Sequence, residues 1–138
     1  MKILIAGAGA TGGYFGARLS QAGRDVTFLV RPHRAEQLRN GLRLIGPDDE
    51  EESVAVRTVT AEQVKDRYDL VIVAVKAGAL TAVLDQITPA VGPDTFILPF
   101  LNGMAHIPEL ELRFGAERVL GGMVRVVTTV PARARSAR

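Results

Sequence analysis

Residues 2–12, with the sequence KILIAGAGATG, decide how this chain folds. Apart from Lys2, the first part of this stretch is apolar without alternation, as expected of a strand that is buried on both faces of a parallel sheet. The spacing G-x-G-x-x-G follows directly, and then comes a helical pattern that ends at Gly23. A second apolar strand is predicted over residues 25–30. Strand, glycine turn, helix and second strand together predict a dinucleotide-binding βαβ unit.

Each glycine of the turn has a physical task in such a unit. Gly7 permits a tight turn, Gly9 lets the backbone approach a pyrophosphate, and Gly12 lets the helix pack close to the strand. Unpaired N–H groups and the positive end of the helix dipole favour phosphate. The predicted cofactor-binding residues of the turn are Gly7, Ala8, Gly9, Ala10, Thr11 and Gly12. The alternative is a glycine turn with a structural role alone.

The residue after the second strand predicts which dinucleotide is bound. An enzyme that uses NAD usually places Asp or Glu there, to bind the ribose hydroxyls. This chain has Arg31, followed by Arg34, and no acidic residue before Glu36. A guanidinium can hold a 2′-phosphate through two hydrogen bonds and can stack on adenine. We therefore interpret Arg31 as a ligand of the 2′-phosphate of NADP(H), with Arg34 as a candidate assistant; the alternative is two solvated arginines.

The rest of the chain continues the alternation of strands and helices. Strands are predicted at residues 69–75, 95–98, 119–120 and 124–130, with weaker candidates at 42–45 and 54–59. Helices are predicted with Phe15, Leu19 and Ala22 on the inner face, from Pro32 to Gly41, with Leu80, Val83, Leu84 and Ile87 inward, and from Pro108 to Gly115. The acidic run 48–52 is predicted to be a solvated loop. This alternation predicts one α/β domain with a doubly wound, mostly parallel sheet.

Composition excludes several other classes of protein. The chain has no cysteine, and neither His33 nor His106 belongs to a metal-ligand spacing, so we expect no metal site. No apolar stretch approaches the length of a membrane span, and no secretory signal is visible, so we expect no membrane partner and a cytoplasmic location. Residues 131–138 carry three arginines, and without them the formal charge of +2 would be −1. We therefore expect a domain over 1–130, a disordered basic tail over 131–138, and no nucleic-acid partner.

Three further stretches make the pattern specific to one family. MKILIAGAGATGGYFGA at 1–17 leads into FLVR at 28–31, and AVKA at 74–77 and NGM at 102–104 follow. Together they resemble the N-terminal, NADP-binding domain of the 2-dehydropantoate 2-reductases (ketopantoate reductases), over residues 1 to about 122. The resemblance implies a Rossmann-type fold and the NADPH-dependent reduction of 2-dehydropantoate to pantoate, on the route to pantothenate and coenzyme A.

The resemblance also implies roles for two further residues. Lys76 would lie in the cleft beside cofactor and substrate, and Asn102 would contact both the nicotinamide and the substrate. Without the resemblance, the sequence favours a solvated lysine at the end of a strand for Lys76. Asn102-Gly103 is equally typical of a turn, which is compatible with a ligand-binding amide at the end of a strand.

In the resembled family a second, mostly helical domain supplies the general-acid lysine and the residues that bind the substrate. This chain departs from the family pattern near Met123, so we expect the C-terminal helical domain to be missing, through a truncation, a frameshift or an artificial boundary. We expect a cofactor-binding half that is inactive alone and that forms a homo-oligomer through the apolar surface left uncovered. The alternatives are a non-catalytic NADP-binding module and a reductase of another 2-keto acid.

Overall fold

The computed structural model describes residues 1–7, 10–45, 49–75, 77–100 and 107–120. In chain order the elements are β1 (Lys2–Ala6), α1 (Ala10–Gln21), β2 (Asp25–Leu29), α2 (Pro32–Gln37), β3 (Leu42–Ile45), β4 (Glu51–Val54), β5 (Arg57–Val59), β6 (Tyr68–Val73), α3 (Leu80–Ile87), β7 (Val91–Pro99) and α4 (Ile107–Phe114). Five of the strands form one parallel sheet in the order β5-β2-β1-β6-β7, and β3 and β4 form a separate antiparallel pair.

The sheet order confirms the doubly wound α/β fold. From β1 the chain proceeds outward through β2 to β5 on one side, and through β6 to β7 on the other. Ala6 at the end of β1 is paired with Leu29 of β2 and with Val73 of β6. The direction of winding therefore changes between β1 and β6, and ligands of such sheets bind outside the carboxyl ends of the strands at that switch point.

Both faces of β1 are buried, which explains why its sequence is apolar without alternation. Leu4 and Ala6 lie in the core that contains Leu84 of α3 and Leu110 of α4. On the other face, a second core comprises Ile3, Ile5, Ala17, Val26, Phe28, Val30, Leu38, Leu42, Leu44, Val54 and Ile72. Helices α3 and α4 thus cover one face of the sheet, while α1 and the β3–β4 hairpin cover the other.

Helix α1 packs only in part through the face that hydrophobic periodicity predicts, since Leu19 contacts the core on this side of the sheet. Ala22 is exposed, and Phe15 and Leu19 are only half-buried, whereas the buried positions are Gly12, Gly13, Gly16 and Ala17. A Cβ atom on Gly16 would overlap the ring of Phe28 and would lie 2.6 Å from Cδ1 of Ile5. The helix approaches the sheet so closely that small residues, which carry no hydrophobic signal, form its inner face.

The predictions for residues 48–52 and 54–59 are partly wrong, because strand pairing decides the structure there. Glu51 and Glu52 of the acidic run lie in β4 rather than in a loop, and Glu52 accepts hydrogen bonds from Arg18 (3.1 Å) and Gln21 of α1. The predicted strand 54–59 is divided, because Val54 belongs to the hairpin and β5 belongs to the parallel sheet.

Strand β7 begins at Val91 rather than at Thr95, so it includes Gly92 and Pro93. The pairing with β6 is irregular between Tyr68 and Leu70, where the Thr95 hydroxyl donates to the Tyr68 carbonyl oxygen (2.5 Å).

The last described residues extend the edge of the sheet. Val119 bridges to Ile97 in parallel, and the Leu120 N–H donates to the Ile97 carbonyl oxygen (2.8 Å), as the prediction for 119–120 requires. The predictions for 124–130 and 131–138 lie outside the described residues. Phe96 is 47% exposed on β7, and self-association stays a prediction. No helix in the described ranges is long and apolar enough to cross a membrane.

The close approach of α1 makes Gly16 a sensitive position. We expect Gly16→Ala to lower the free energy of unfolding, because overpacking costs about 1–3 kcal/mol and the overlap with Phe28 is severe. That loss exceeds the gain of up to about 1 kcal/mol from the better helix propensity of alanine. Gly78→Ala is the control, since a Cβ atom there meets nothing within 4 Å. Urea unfolding of both variants measures the difference, and equal stabilities would contradict the packing described.

Candidate functional site

Backbone hydrogen bonds tie the loops at the carboxyl edge of the sheet to one another. The Gly7 N–H donates to the Leu29 carbonyl oxygen (3.1 Å), and the Ala74 N–H donates to the Ala6 carbonyl oxygen (2.9 Å). The Phe100 N–H, after β7, donates to the Val73 carbonyl oxygen (2.7 Å). The segments that follow β1, β2, β6 and β7 therefore leave the sheet side by side.

Two glycines allow the turn after β1 to lie against the end of β6. Gly7 has φ +107°, and a Cβ atom there would lie 2.6 Å from the Ala74 carbonyl oxygen. A Cβ atom on Gly12 would lie 2.7 Å from the Gly7 carbonyl oxygen and 2.9 Å from the Ala74 Cβ. These contacts match the roles predicted for the first and third glycines of the motif. Gly9, the second one, lies outside the described residues.

The first turn of α1 reaches the switch point directly after this turn of the chain. The helix begins at Ala10, is 12 residues long, and has no acidic side chain in its first turn. Its free N–H groups and its positive dipole end therefore meet no opposing carboxylate from the helix itself. This arrangement suits a phosphate, so the residues present fit the pyrophosphate of a dinucleotide.

A cleft of about 130 Å³ opens beside Gly7. Its floor includes Val30 and Val75, which follow β2 and β6. Arg31 and Arg34 line it from the α2 side, and Val83 and Gln86 line it from α3. The cleft thus combines apolar surface with guanidinium groups, next to the glycine turn.

Arg31 presents a cation at the end of β2. It is the N-cap residue of α2, in extended conformation (φ −71°, ψ 155°), and its side chain is exposed. No carboxylate in the described part of the chain forms an ion pair with it. Glu36, the first acidic residue after β2, pairs instead with Arg39 (3.1 Å). The position that holds a carboxylate in NAD enzymes therefore holds a guanidinium here.

A larger cavity, of about 650 Å³, lies between α2 and the β3–β4 hairpin. It is lined by charges of both signs, among them Arg34, Arg43, Glu51 and Glu52. It does not include the glycine turn, so we do not place the ligand there. No group of three or more His, Cys, Asp or Glu side chains among the described residues could hold a metal ion.

The structure brings together only part of the predicted site. Gly7, Gly12 and Arg31 lie along the carboxyl edge, and Ala10 and Thr11 are the first residues of α1. Ala8, Gly9, Lys76 and Asn102 lie outside the described residues. Sequence reasoning missed the contribution of Gln86, because only the order of the strands brings α3 beside the end of β2.

The sheet order, the glycine turn at the switch point and the arginine after β2 define a Rossmann-type α/β domain. Comparison with protein families then gives a more specific result. The family described as ketopantoate reductase PanE/ApbA matches residues 3–135. The chain belongs to this family, as the sequence motifs indicate.

Curated relatives agree with the family assignment. The chain is 42% identical over 123 residues to an uncharacterized oxidoreductase, YkpB, of Bacillus subtilis, a match that covers 89% of this chain and 40% of that protein. It is 45% identical over 107 residues to the 2-dehydropantoate 2-reductase of Mesorhizobium japonicum, covering 75% of this chain and 32% of the relative. The chain therefore spans less than half the length of these oxidoreductases.

Solved structures show the same fold. The crystal structure of 2-dehydropantoate 2-reductase from Geobacter metallireducens matches with a TM-score of 0.77 and 35% identity, over 86% of this chain and 40% of that one. A D-mandelate dehydrogenase, in a ternary structure with NADH and anilino(oxo)acetate, matches with a TM-score of 0.78 and 32% identity, over 86% of this chain and 39% of that one.

The contact between Gly7 and Ala74 can be tested by comparing two glycines. Gly23 also has positive φ (+84°), but a Cβ atom there meets nothing within 4 Å. Gly23→Ala should therefore cost only backbone strain, about 1–2 kcal/mol. Gly7→Ala should cost about 1–3 kcal/mol more, because the new methyl group also overlaps the carbonyl of Ala74. Equal unfolding free energies for the two variants would show that the turn does not lie against β6.

Proposed function

We propose that this chain binds NADP(H) along the carboxyl edge of its sheet. We further propose that it is the cofactor-binding part of an NADPH-dependent reductase of 2-dehydropantoate. The proposal rests on two features that lie at the carboxyl edge of the sheet. The turn at Gly7 lies against the end of β6, while Arg31 follows β2 and has no ion-pair partner among the described carboxylates. Family membership supports the choice of substrate.

The pyrophosphate would be held by the turn and the start of α1. In this proposal the binding residues are Gly7, Ala8, Gly9, Ala10, Thr11 and Gly12. Gly7 and Gly12 act by letting the turn and the helix pack close to β6, which aims the N–H groups of the first helical turn outward. Backbone donors suit this task because they are fixed in place before the ligand arrives, and they need no charged side chain.

Arg31 would select NADP(H) over NAD(H). Arg31 lines the cleft and is exposed, so its guanidinium can form two charge-assisted hydrogen bonds with a 2′-phosphate. Arg34 lines the same cleft and also donates to the Gln37 side chain (3.2 Å), so we assign it a supporting role. The nearest acid along the chain, Glu36, is occupied by Arg39 and offers no carboxylate to the ribose.

For the reaction itself, we propose that Lys76 and Asn102 hold the keto acid and the nicotinamide side by side. The two residues follow β6 and β7, whose carboxyl ends lie next to each other in the sheet. When bound, the nicotinamide supplies the hydride that reduces the ketone. An ammonium group suits an anionic substrate, and an amide both donates and accepts hydrogen bonds. Positioning of this kind is the main contribution that a protein makes to cofactor chemistry.

The choice between cofactors can be measured by thermal or chemical unfolding with added NADPH or NADH. At a ligand concentration of 100 times the dissociation constant, binding should add about 2.7 kcal/mol to the free energy of unfolding. We expect NADPH to stabilise the chain at lower concentrations than NADH. Arg31→Ala should remove this preference, because it removes the charge-assisted hydrogen bonds to the 2′-phosphate, and should leave weak binding through the glycine turn.

Arg24→Ala is the matched control for Arg31→Ala. Arg24 is an exposed arginine that precedes β2, at the opposite edge of the sheet, so it changes the net charge equally without touching the cleft. It should keep the preference for NADPH. If the unmodified protein is stabilised equally by both cofactors, the assignment of Arg31 is wrong; if neither stabilises a folded chain, the binding proposal is wrong.

A protein of these 138 residues should bind NADPH and reduce 2-dehydropantoate slowly or not at all. The reason is chemical: the alkoxide that forms on the substrate needs a general acid, and the resemblance assigns that lysine to the second domain. General acids typically contribute a factor of about 10²–10⁴. NADPH consumption in the presence of 2-dehydropantoate measures the rate. Rapid turnover by the 138-residue protein would show that these residues supply the acid themselves.

A further inference from the structure

The contacts proposed above for the pyrophosphate and the 2′-phosphate give no role to Gln86. Helix α3 buries Leu80, Leu84 and Ile87 against the sheet, and Gln86 lies half-buried beside that face. Together with Val83 it lines the cleft from α3, and Arg31 lines the same cleft. Within the described part of the chain, its carboxamide makes no hydrogen bond to another residue. A half-buried amide that faces a cleft without a protein partner is available to a ligand.

We propose that Gln86 recognises the adenine base of the cofactor; the inference rests on the function proposed above. A glutamine amide carries one acceptor and one donor group side by side, and adenine carries a complementary pair in its exocyclic amino group and its ring nitrogen N7. The amide oxygen of Gln86 accepts from the amino group, and the amide N–H donates to the ring nitrogen. This pairing makes Gln86 a determinant of base specificity.

The surroundings of Gln86 suit a planar base rather than a charged group. Val30, Val75 and Val83 offer apolar surface to the base, while the Arg31 guanidinium at the other side can stack on it or hold the neighbouring phosphate. The cleft adjoins Gly7 and the end of β2, so it lies on the ribose-phosphate side of the site. Its volume of about 130 Å³ suits one base and not a whole dinucleotide.

The test compares NADPH with its hypoxanthine analogue, in which a carbonyl oxygen replaces the amino group of adenine. On its N7 edge, hypoxanthine carries two acceptors, O6 and N7, and no donor for the Gln86 oxygen, so we expect the full chain to bind NADPH about 10-fold more tightly, in line with a bidentate amide contact. Gln86→Leu should weaken NADPH binding by about the same factor and should bind both dinucleotides equally. Dissociation constants from a fluorescence titration give the ratio directly.

Two further variants distinguish a loss of base recognition from a general loss of folding or of cofactor binding. Gln86→Glu keeps an acceptor for the amino group, so it should retain a preference for NADPH even where it weakens both ligands. Ala82→Leu alters an exposed residue on the same helix and should leave the ratio unchanged. Circular dichroism confirms that each variant is folded.

The outcomes separate this inference from the function on which it rests. If the full chain binds NADPH but does not discriminate against the hypoxanthine analogue, Gln86 does not read the base. The same conclusion follows if Gln86→Leu keeps the unmodified ratio, and in both cases the cofactor site stands. If a folded chain binds neither dinucleotide, the proposed function fails and the role of Gln86 fails with it. A normal ratio in Arg31→Ala would show that base and 2′-phosphate are read by different residues.

Discussion

The absence of a side chain at Gly7 is the constraint on which the rest of the structure depends. The chain must leave β1, turn with positive φ, and pass the Ala74 carbonyl at a distance that leaves no room for a methyl group. Because the turn lies there, α1 begins at the switch point of the sheet, and its first N–H groups face the carboxyl edge. A side chain at Gly7 would move the start of the helix away from β6, and the proposed phosphate site would move with it.

Small residues also allow close packing further along α1. Gly12 meets the turn and the end of β6, and Gly16 meets Phe28 and Ile5 in the core below. The helix is thus held against the sheet at two successive turns by residues that contribute almost no apolar area of their own. The large side chains come from the strands, which fill the space beneath the helix at close packing. Site geometry and core packing therefore rest on the same row of small residues, so a change at Gly16 would be felt at the start of the helix.

The sequence predicts most of the strands, and it predicts the site where the signal is local. β1 is recognisable from its unbroken apolar run, and the glycine turn from its spacing. Prediction from the sequence fails where the structure depends on how closely two helices or strands approach each other. Hydrophobic periodicity does not identify the inner face of α1, because glycines form most of it. Glu51 and Glu52 resemble residues of a solvated loop in the sequence, but in the structure they pair in the hairpin beside α1. Proline commonly interrupts a strand, but Pro93 lies in an edge strand, where its missing N–H can face away from the neighbouring strand. The sequence around Gln86 does not indicate that this residue lines the cleft, since its position there depends on the order of β1, β2 and β6.

Fold and cofactor preference are separable among proteins that share this fold. The D-mandelate dehydrogenase that shares the fold was solved with NADH, so the frame of strands and helices does not by itself decide between the two dinucleotides. The groups proposed to bind the pyrophosphate are backbone atoms beside the packed glycines, and the two dinucleotides carry the same pyrophosphate. Discrimination is left to side chains that the core does not constrain. Arg31 is such a side chain: it is exposed, it follows the last residue of the β2 apolar run, and no described carboxylate neutralises it. In the proposed site its charge would act on the 2′-phosphate, which only one of the two dinucleotides carries, so a single position outside the core would set the preference without a change in the folding of the domain.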